Sequence, residues 1–365
     1  MTLLSLCLAA TLAVPGQWND PVERLEPPAD LEPLIERLGA RERAVWLDDD
    51  RLTFLLRSRA ENVGLTTMID VPFVEVDDGL HLGQVRLPDI DQLILSYSFT
   101  KEDENGWDQL SSFRGASAPP IPEACLPLAG RHLYYSLESE YLSEPRTVEV
   151  YVPAGNETGL PVVYMADGSA LEEYVGSIDW AIRQGRLAPM VLVGVHNGGY
   201  GGDRDAEYDP ELDWRAKEYL EAVGDERYLN HLLFLLEDVL PFVEARHGVS
   251  DEPSKRVLSG YSNGGAFALT AGAGEPSVFG HVLAYSVAFF DRDALRERVE
   301  GAELPSFSFA GGELEWFIEG TRDAAGILEE SGADVRLRSY IAGHDPLLWR
   351  IALHEDLARL FPGQR

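Results

Sequence analysis

Lysine is almost missing from this chain: it occurs at Lys101, Lys217 and Lys255 and nowhere else in 365 residues. Positive charge therefore rests on arginine, and 30 basic residues face 62 acidic ones, for a formal net charge of −32. A field of that sign repels phosphate backbones and anionic lipid, and no Lys- or Arg-rich stretch interrupts it, so nucleic acid is excluded as a partner. The same surplus favours solubility and suits a salty medium. Cysteine is as scarce, with Cys7 and Cys125 alone. Loss of an N-terminal leader would leave one thiol and no internal disulfide, so cysteine usage says nothing about compartment. No cysteine cluster and no H-E-x-x-H is present, so neither a zinc site nor any other cofactor is expected. Apolar runs are short. The one at Leu3–Val14, in "MTLLSLCLAATLAVPGQ", cannot span a bilayer but fits the core of a signal peptide. Residues 1–16 are therefore expected to be a leader and the protein to be exported, to periplasm or medium. Without a leader the chain would be cytoplasmic, and no other stretch could cross a membrane.

What is there divides into two rhythms. From Leu52 to Phe99, "RLTFLLRS", "VGLTTMIDVPFVEV", "LHLGQVRLP" and "QLILSYSFT" are β-branched and aromatic runs separated by turn residues. Such spacing predicts a small β-sandwich, here a β-rich domain over residues 17–110. "SSFRGASAPPIPEACLP" is dense in Ser, Gly and Pro, and residues 111–128 read as a linker. Beyond it, over 129–365, strands alternate with helices: "RTVEVYVP", "LPVVYMADG" and "MVLVGVHNGG", then a helical stretch from Glu226 to Gly248 interrupted by Pro241. The continuous apolar runs suit strands buried on both faces. The fold class is α/β, a mainly parallel sheet with helices on both sides.

The chemistry is concentrated late in the chain. Gly260-Tyr261-Ser262-Asn263-Gly264 fits G-x-S-x-G, after a predicted strand and before a predicted helix, the context a nucleophile elbow requires. Glycines alone could instead let helix and sheet pack closely, so the serine needs a base to carry meaning. His344, in "IAGHDPLLW", follows the last predicted strand and so lies at the sheet edge that carries the serine. The orienting acid should fall between them, and "FAGGELE" offers Glu313, nearer the strand end and the first choice, or Glu315. Asp345 is expected to cap the following helix. The oxyanion donors are expected to be the N–H of Asn263 and an N–H of the loop after "VVYMADG", at Gly168 or Ser169, with Ala170 as an alternative. Tyr261, His196 and Arg204 are candidate substrate contacts. The acids at Asp203, Asp205, Glu207 and Asp209 imitate the start of a calcium loop, but Tyr208 stands where that loop needs glycine.

"VVYMADG", "LVGVHNGG", "RDAEY", "FLLEDVLPFVEARHGV", "LSGYSNGG", "FAGGELE" and "GHDPLLW" together resemble the putative esterase family that includes esterase D and the enterochelin (ferric enterobactin) esterases. The resemblance runs from about Arg131 to the C-terminus. It implies an α/β-hydrolase fold, Ser262 as nucleophile, His344 as base and a small-molecule ester as substrate. It also implies a pairing of Arg204 with Glu207 in "RDAEY". The β-rich region resembles the N-terminal sandwich of enterochelin esterases through its strand pattern. "YMADG" offers no extended HGGG-type oxyanion loop. Two alternatives to hydrolysis stand: acyl transfer by the same triad, and a catalytically silent hydrolase-fold binding protein.

Overall fold

The computed structural model describes residues 21–60, 62–101, 110–155, 157–202, 208–224 and 226–363. The leader expected over residues 1–16 lies outside them.

The N-terminal domain is built of two antiparallel sheets. One orders β1 (Glu23–Arg24), β6 (Leu80–Arg86), β3 (Arg51–Arg57) and β2 (Arg43–Asp48), with β5 (Val74–Asp77) also on β6. The other orders β4 (Val63–Thr67), β7 (Ile94–Lys101) and β8 (Ser111–Arg114). Five consecutive residues of β3 are buried because each face has its own core. Leu52, Phe54 and Leu56 face the second sheet, packing with Leu95 and Phe99. Leu55 points the other way, into a cluster with Leu38 of the helix Glu32–Leu38. Period-two geometry turns one apolar run into two interfaces. The linker reading of 111–128 covers a strand in its first four residues: Phe113 packs on the sandwich core, and Ser111–Arg114 pairs with β7.

The second domain carries an eight-stranded sheet. Its order is β16 (Val335–Tyr340), β15 (Ser306–Gly312), β14 (His281–Tyr285), β13 (Arg256–Tyr261), β11 (Val162–Met165), β12 (Val191–Val195), β10 (Arg146–Val152), β9 (Arg131–Leu137). Six strands run parallel, while β10 and β9 are antiparallel additions at one edge. The same division of faces operates here. Val163, Val257 and Leu283 join the helices Leu171–Arg183 and Pro346–Leu360 on one side; Tyr164, Leu258 and Val282 join Asn263–Gly274 and Ile318–Glu330 on the other. The long segment after Glu226 holds a π-helical turn, Phe234–Val239, just before Pro241. Proline has no N–H for the i−4 carbonyl, and the wider turn accommodates that loss. Among the described residues no helix is long and apolar enough to cross a membrane.

Candidate active site

Every residue of β13 is buried, and the strand ends in a turn that Ser262 makes with φ 56° and ψ −128°. A non-glycine residue there is strained, and such strain persists only where the surroundings enforce it. They do. Ser262 N–H donates to the carbonyl of Tyr285 on β14 (2.9 Å), and the Ser262 carbonyl accepts from Ala266 N–H (3.0 Å) in the first turn of the next helix. The flanking glycines are steric necessities. A Cβ on Gly260 would lie 2.1 Å from the Gly264 carbonyl oxygen, and one on Gly265 would lie 2.5 Å from that of Tyr285. Asn263 opens the helix, so its N–H is among the donors with no partner inside the helix.

His344 stands in the loop between β16 and the last helix, and its Nδ1 is 2.9 Å from Glu315 Oε1. Glu315 is wholly buried, and its other oxygen accepts from Gly312 N–H at 3.2 Å. Of the two candidate glutamates it is therefore Glu315, and not the first-choice Glu313, that meets the histidine. Glu313 prolongs the ladder, its N–H donating to the Tyr340 carbonyl, and both its carboxylate oxygens take Arg322 at 2.7 Å. Glu315 instead follows a tight turn, with its N–H on the Gly312 carbonyl, that folds the carboxylate back over the strand end. Gly311 leaves it room, since a Cβ there would stand 3.3 Å from Glu315 Oε2, whereas one on Gly312 would meet the Ala342 carbonyl.

Two aromatic residues that the sequence did not single out frame the histidine. Phe317 and Trp349 both meet the imidazole edge-on, with centroids 5.1 Å and 4.8 Å away. Trp349 also stacks flat on Tyr261, the residue before Ser262, and its indole N–H donates to Ser286 Oγ at 2.8 Å. Serine elbow and histidine loop are thus joined through one ring. Among the described residues His344 makes one side-chain hydrogen bond, the one to Glu315.

After β11 the chain turns through Asp167, in the left-handed region at φ 56°, into a short 3-10 turn, Gly168–Ala170. Gly168 touches the backbone of β12 so closely that a Cβ would lie 2.4 Å from Gly194 C. Ser169 is exposed. Asp167 is pinned beneath: Arg215 donates to both its oxygens (2.6 and 2.7 Å), Asn197 Nδ2 donates at 2.7 Å, and Asp167 N–H donates to the Tyr219 hydroxyl. A carboxylate this buried is tolerated because every oxygen is filled.

Tyr261 is covered by Trp349, with 5% of its surface exposed. His196 is engaged elsewhere, its Nε2 2.7 Å from Glu149 Oε1 on β10, with His132 at the other oxygen of that carboxylate. Arg204, Glu207 and most of the calcium-like acids fall outside the described residues, and among the described ones no group of His, Cys, Asp and Glu could hold a metal ion.

A strained serine on a strand-to-helix turn, a histidine–carboxylate pair in the loop after the last strand, and an otherwise parallel sheet define an α/β-hydrolase fold. Residues 139–300 match the family model described as putative esterase. The chain is 33% identical over 153 residues to the iron(III) enterobactin esterase of Dickeya dadantii, and 28% identical over 162 residues to the uncharacterized protein YbbA of Bacillus subtilis. These stretches cover 36% and 43% of this chain, but only 35% and 62% of those relatives. The likeness in fold is broader. The enterobactin esterase of Shigella flexneri superposes with a TM-score of 0.68 at 18% identity, covering 89% of this chain and 97% of that one. Its extent takes in the N-terminal sandwich as well as the esterase segment.

Proposed function

We propose that the protein is a serine esterase acting on small carboxylic esters. Ser262 is the nucleophile, His344 the general base and Glu315 the acid that orients it. The observation that carries this reading is the 2.9 Å contact of His344 Nδ1 with Glu315. It commits one ring nitrogen to the carboxylate, fixes the tautomer, and leaves Nε2 as the nitrogen that takes a proton.

Ser262 Oγ attacks the ester carbonyl carbon while its proton passes to His344 Nε2. The oxyanion that forms is held by the N–H groups of Asn263 and of Gly168 or Ser169. The intermediate collapses, the C–O bond to the alcohol breaks, and the imidazolium returns its proton to the leaving oxygen. Water then adds to the acyl-serine, with His344 again accepting the proton and returning it to Ser262, which releases the carboxylic acid. Glu315 stays ionised throughout and stabilises the imidazolium.

Likeness to enterobactin esterases points to a siderophore trilactone, but the charge of this chain points to neutral esters. An anionic substrate would need a cluster of arginines, but Arg114 donates to the Ala118 carbonyl, Arg183 lies over Trp180, and Arg186 faces Glu123. None of these is arranged as an anion cradle, and Arg204 is outside the described residues. A fluorophosphonate probe tests the mechanism. It labels the wild-type chain and not Ser262→Ala, which folds normally and hydrolyses no p-nitrophenyl ester; turnover retained in that variant overturns the reading.

A further inference from the structure

Two carboxylates belong to the histidine's surroundings, and only Glu315 touches the ring. The other, Asp345, is the next residue in the chain and is completely buried. Its Oδ1 accepts from Leu347 N–H at 2.8 Å, the helix-capping bond that the sequence predicts. Capping explains one bond; two more come from far away. Ser96 N–H donates to Oδ2 at 2.6 Å and the Ser96 hydroxyl to Oδ1 at 2.8 Å, across 249 positions of sequence, from β7 of the N-terminal domain. A helix cap at the surface needs no such partner. Burial pushes the Asp345 carboxyl up, and the donors from Ser96 and Leu347 oppose that shift.

The same domain also holds the chain at points before His344. Ile94 N–H donates to the Ile341 carbonyl at 2.9 Å. Gly343 lies against the backbone of the sandwich so tightly that a Cβ there would sit 1.5 Å from the Met68 carbonyl oxygen. Leu314, the residue before Glu315, is buried in the sandwich core with Leu52, Phe54 and Val85. Residues 341, 343 and 345 surround the histidine, and 314 adjoins its acid. All four are tied to the N-terminal domain.

We propose that Ser96, acting through Asp345, is a positioning residue for His344, so that the N-terminal domain fixes the catalytic base as well as adding surface. This rests on the reading of His344 as general base. Positional errors of about 1 Å at a reacting group cost up to 10²-fold in rate, so a loosened loop is read in kcat and not in substrate affinity.

The test uses the full chain. Ser96→Ala removes the hydroxyl and keeps the backbone bond; kcat on a p-nitrophenyl ester, per active site titrated with fluorophosphonate, falls about tenfold with KM little changed. Ser96→Thr keeps a hydroxyl and restores most of the rate. Independently of turnover, the ring proton signal of His344, identified by its loss in His344→Gln, broadens or shifts in Ser96→Ala while the other histidines hold still. A merely structural contact lowers Tm and leaves both kcat per titrated site and the His344 signal unchanged; that result, or a wild-type kcat, overturns the proposal. An inactive, unlabelled wild-type chain overturns the esterase reading alone, since the His344 signal still reports on the clamp. Should Ser96→Ala not fold, Ser96→Cys, similar in shape but a weaker donor, is read in the same way.

Discussion

The indole of Trp349 lies flat against Tyr261, with ring centroids 4.0 Å apart and planes 9° from parallel, and meets His344 with its edge. One side chain therefore sets the separation between the serine elbow and the histidine loop. Trp349→Leu should lower kcat by about tenfold or more while leaving KM near the wild-type value, because the loss is of alignment. Trp349→Phe keeps a ring for the stack but not the bond to Ser286, and should fall between. Steady-state kinetics of the three proteins decides it, and equal kcat values would show the stack to be packing alone.

The two glutamates should separate cleanly. If Glu315 orients His344 as proposed, Glu315→Gln removes the charge that would steady the imidazolium and should reduce kcat by about 10³-fold or more, as losses of a triad carboxylate do. Glu313→Gln breaks a pair with Arg322 whose side chains are 30% and 36% exposed respectively, and should cost about 1 kcal/mol or less with turnover unchanged. Urea titration beside the ester assay checks both.

Beneath the loop of Gly168 and Ser169, Arg215→Ala leaves Asp167 buried without its main partner. Breaking such a pair costs about 3–5 kcal/mol, so the urea midpoint should fall well below that of surface variants. The lost anchor should also slow acylation of Ser262 by fluorophosphonate.

Two histidines make stability depend on pH. Burial pushes His231 down to about 4 and His354, by the same cause, down to about 4. Each stays neutral in the folded chain while an unfolded chain takes up the proton near the ordinary value. Their contribution is therefore fully present above about pH 6.5 and is lost as pH falls toward 4, by up to about 3 kcal/mol per group. His231→Phe, whose ring suits the neighbouring Tyr219, Phe234 and Phe267, should flatten the fall of Tm between pH 6.5 and 4 relative to wild type.

Charge should govern substrate choice. At a net −32 the chain repels a ferric siderophore, and screening acts over roughly 8 Å at physiological salt, so added salt should help the anionic substrate and leave a neutral ester unaffected. Neutral esters are expected to have the higher kcat/KM. Faster cleavage of ferric enterobactin at both low and high salt would reverse that expectation.

The elbow was readable from five consecutive residues because its demands are local: each glycine answers a clash within the turn or with the adjoining strand. His344 was readable because its place follows from the alternation of strands and helices. Which glutamate meets the histidine was not, since that is decided by Arg322, nine positions on from Glu313, and by a turn back to Gly312. Trp349 and Phe317 gave no signal either, for an aromatic residue near a helix start reads first as core. Ser96 was hidden for a plainer reason: nothing in a β-strand announces a partner 249 residues later.

That separation has a consequence for synthesis. The sandwich and the serine elbow leave the ribosome well before residue 345, and contacts so distant in sequence form late. On the proposed mechanism, a folding chain forms its serine elbow early but holds His344 fixed only when β16 and the helix Pro346–Leu360 close onto the first domain. Ester cleavage would then begin with that docking step, so activity regained on refolding would lag behind formation of the elbow and report on the closing of the two domains.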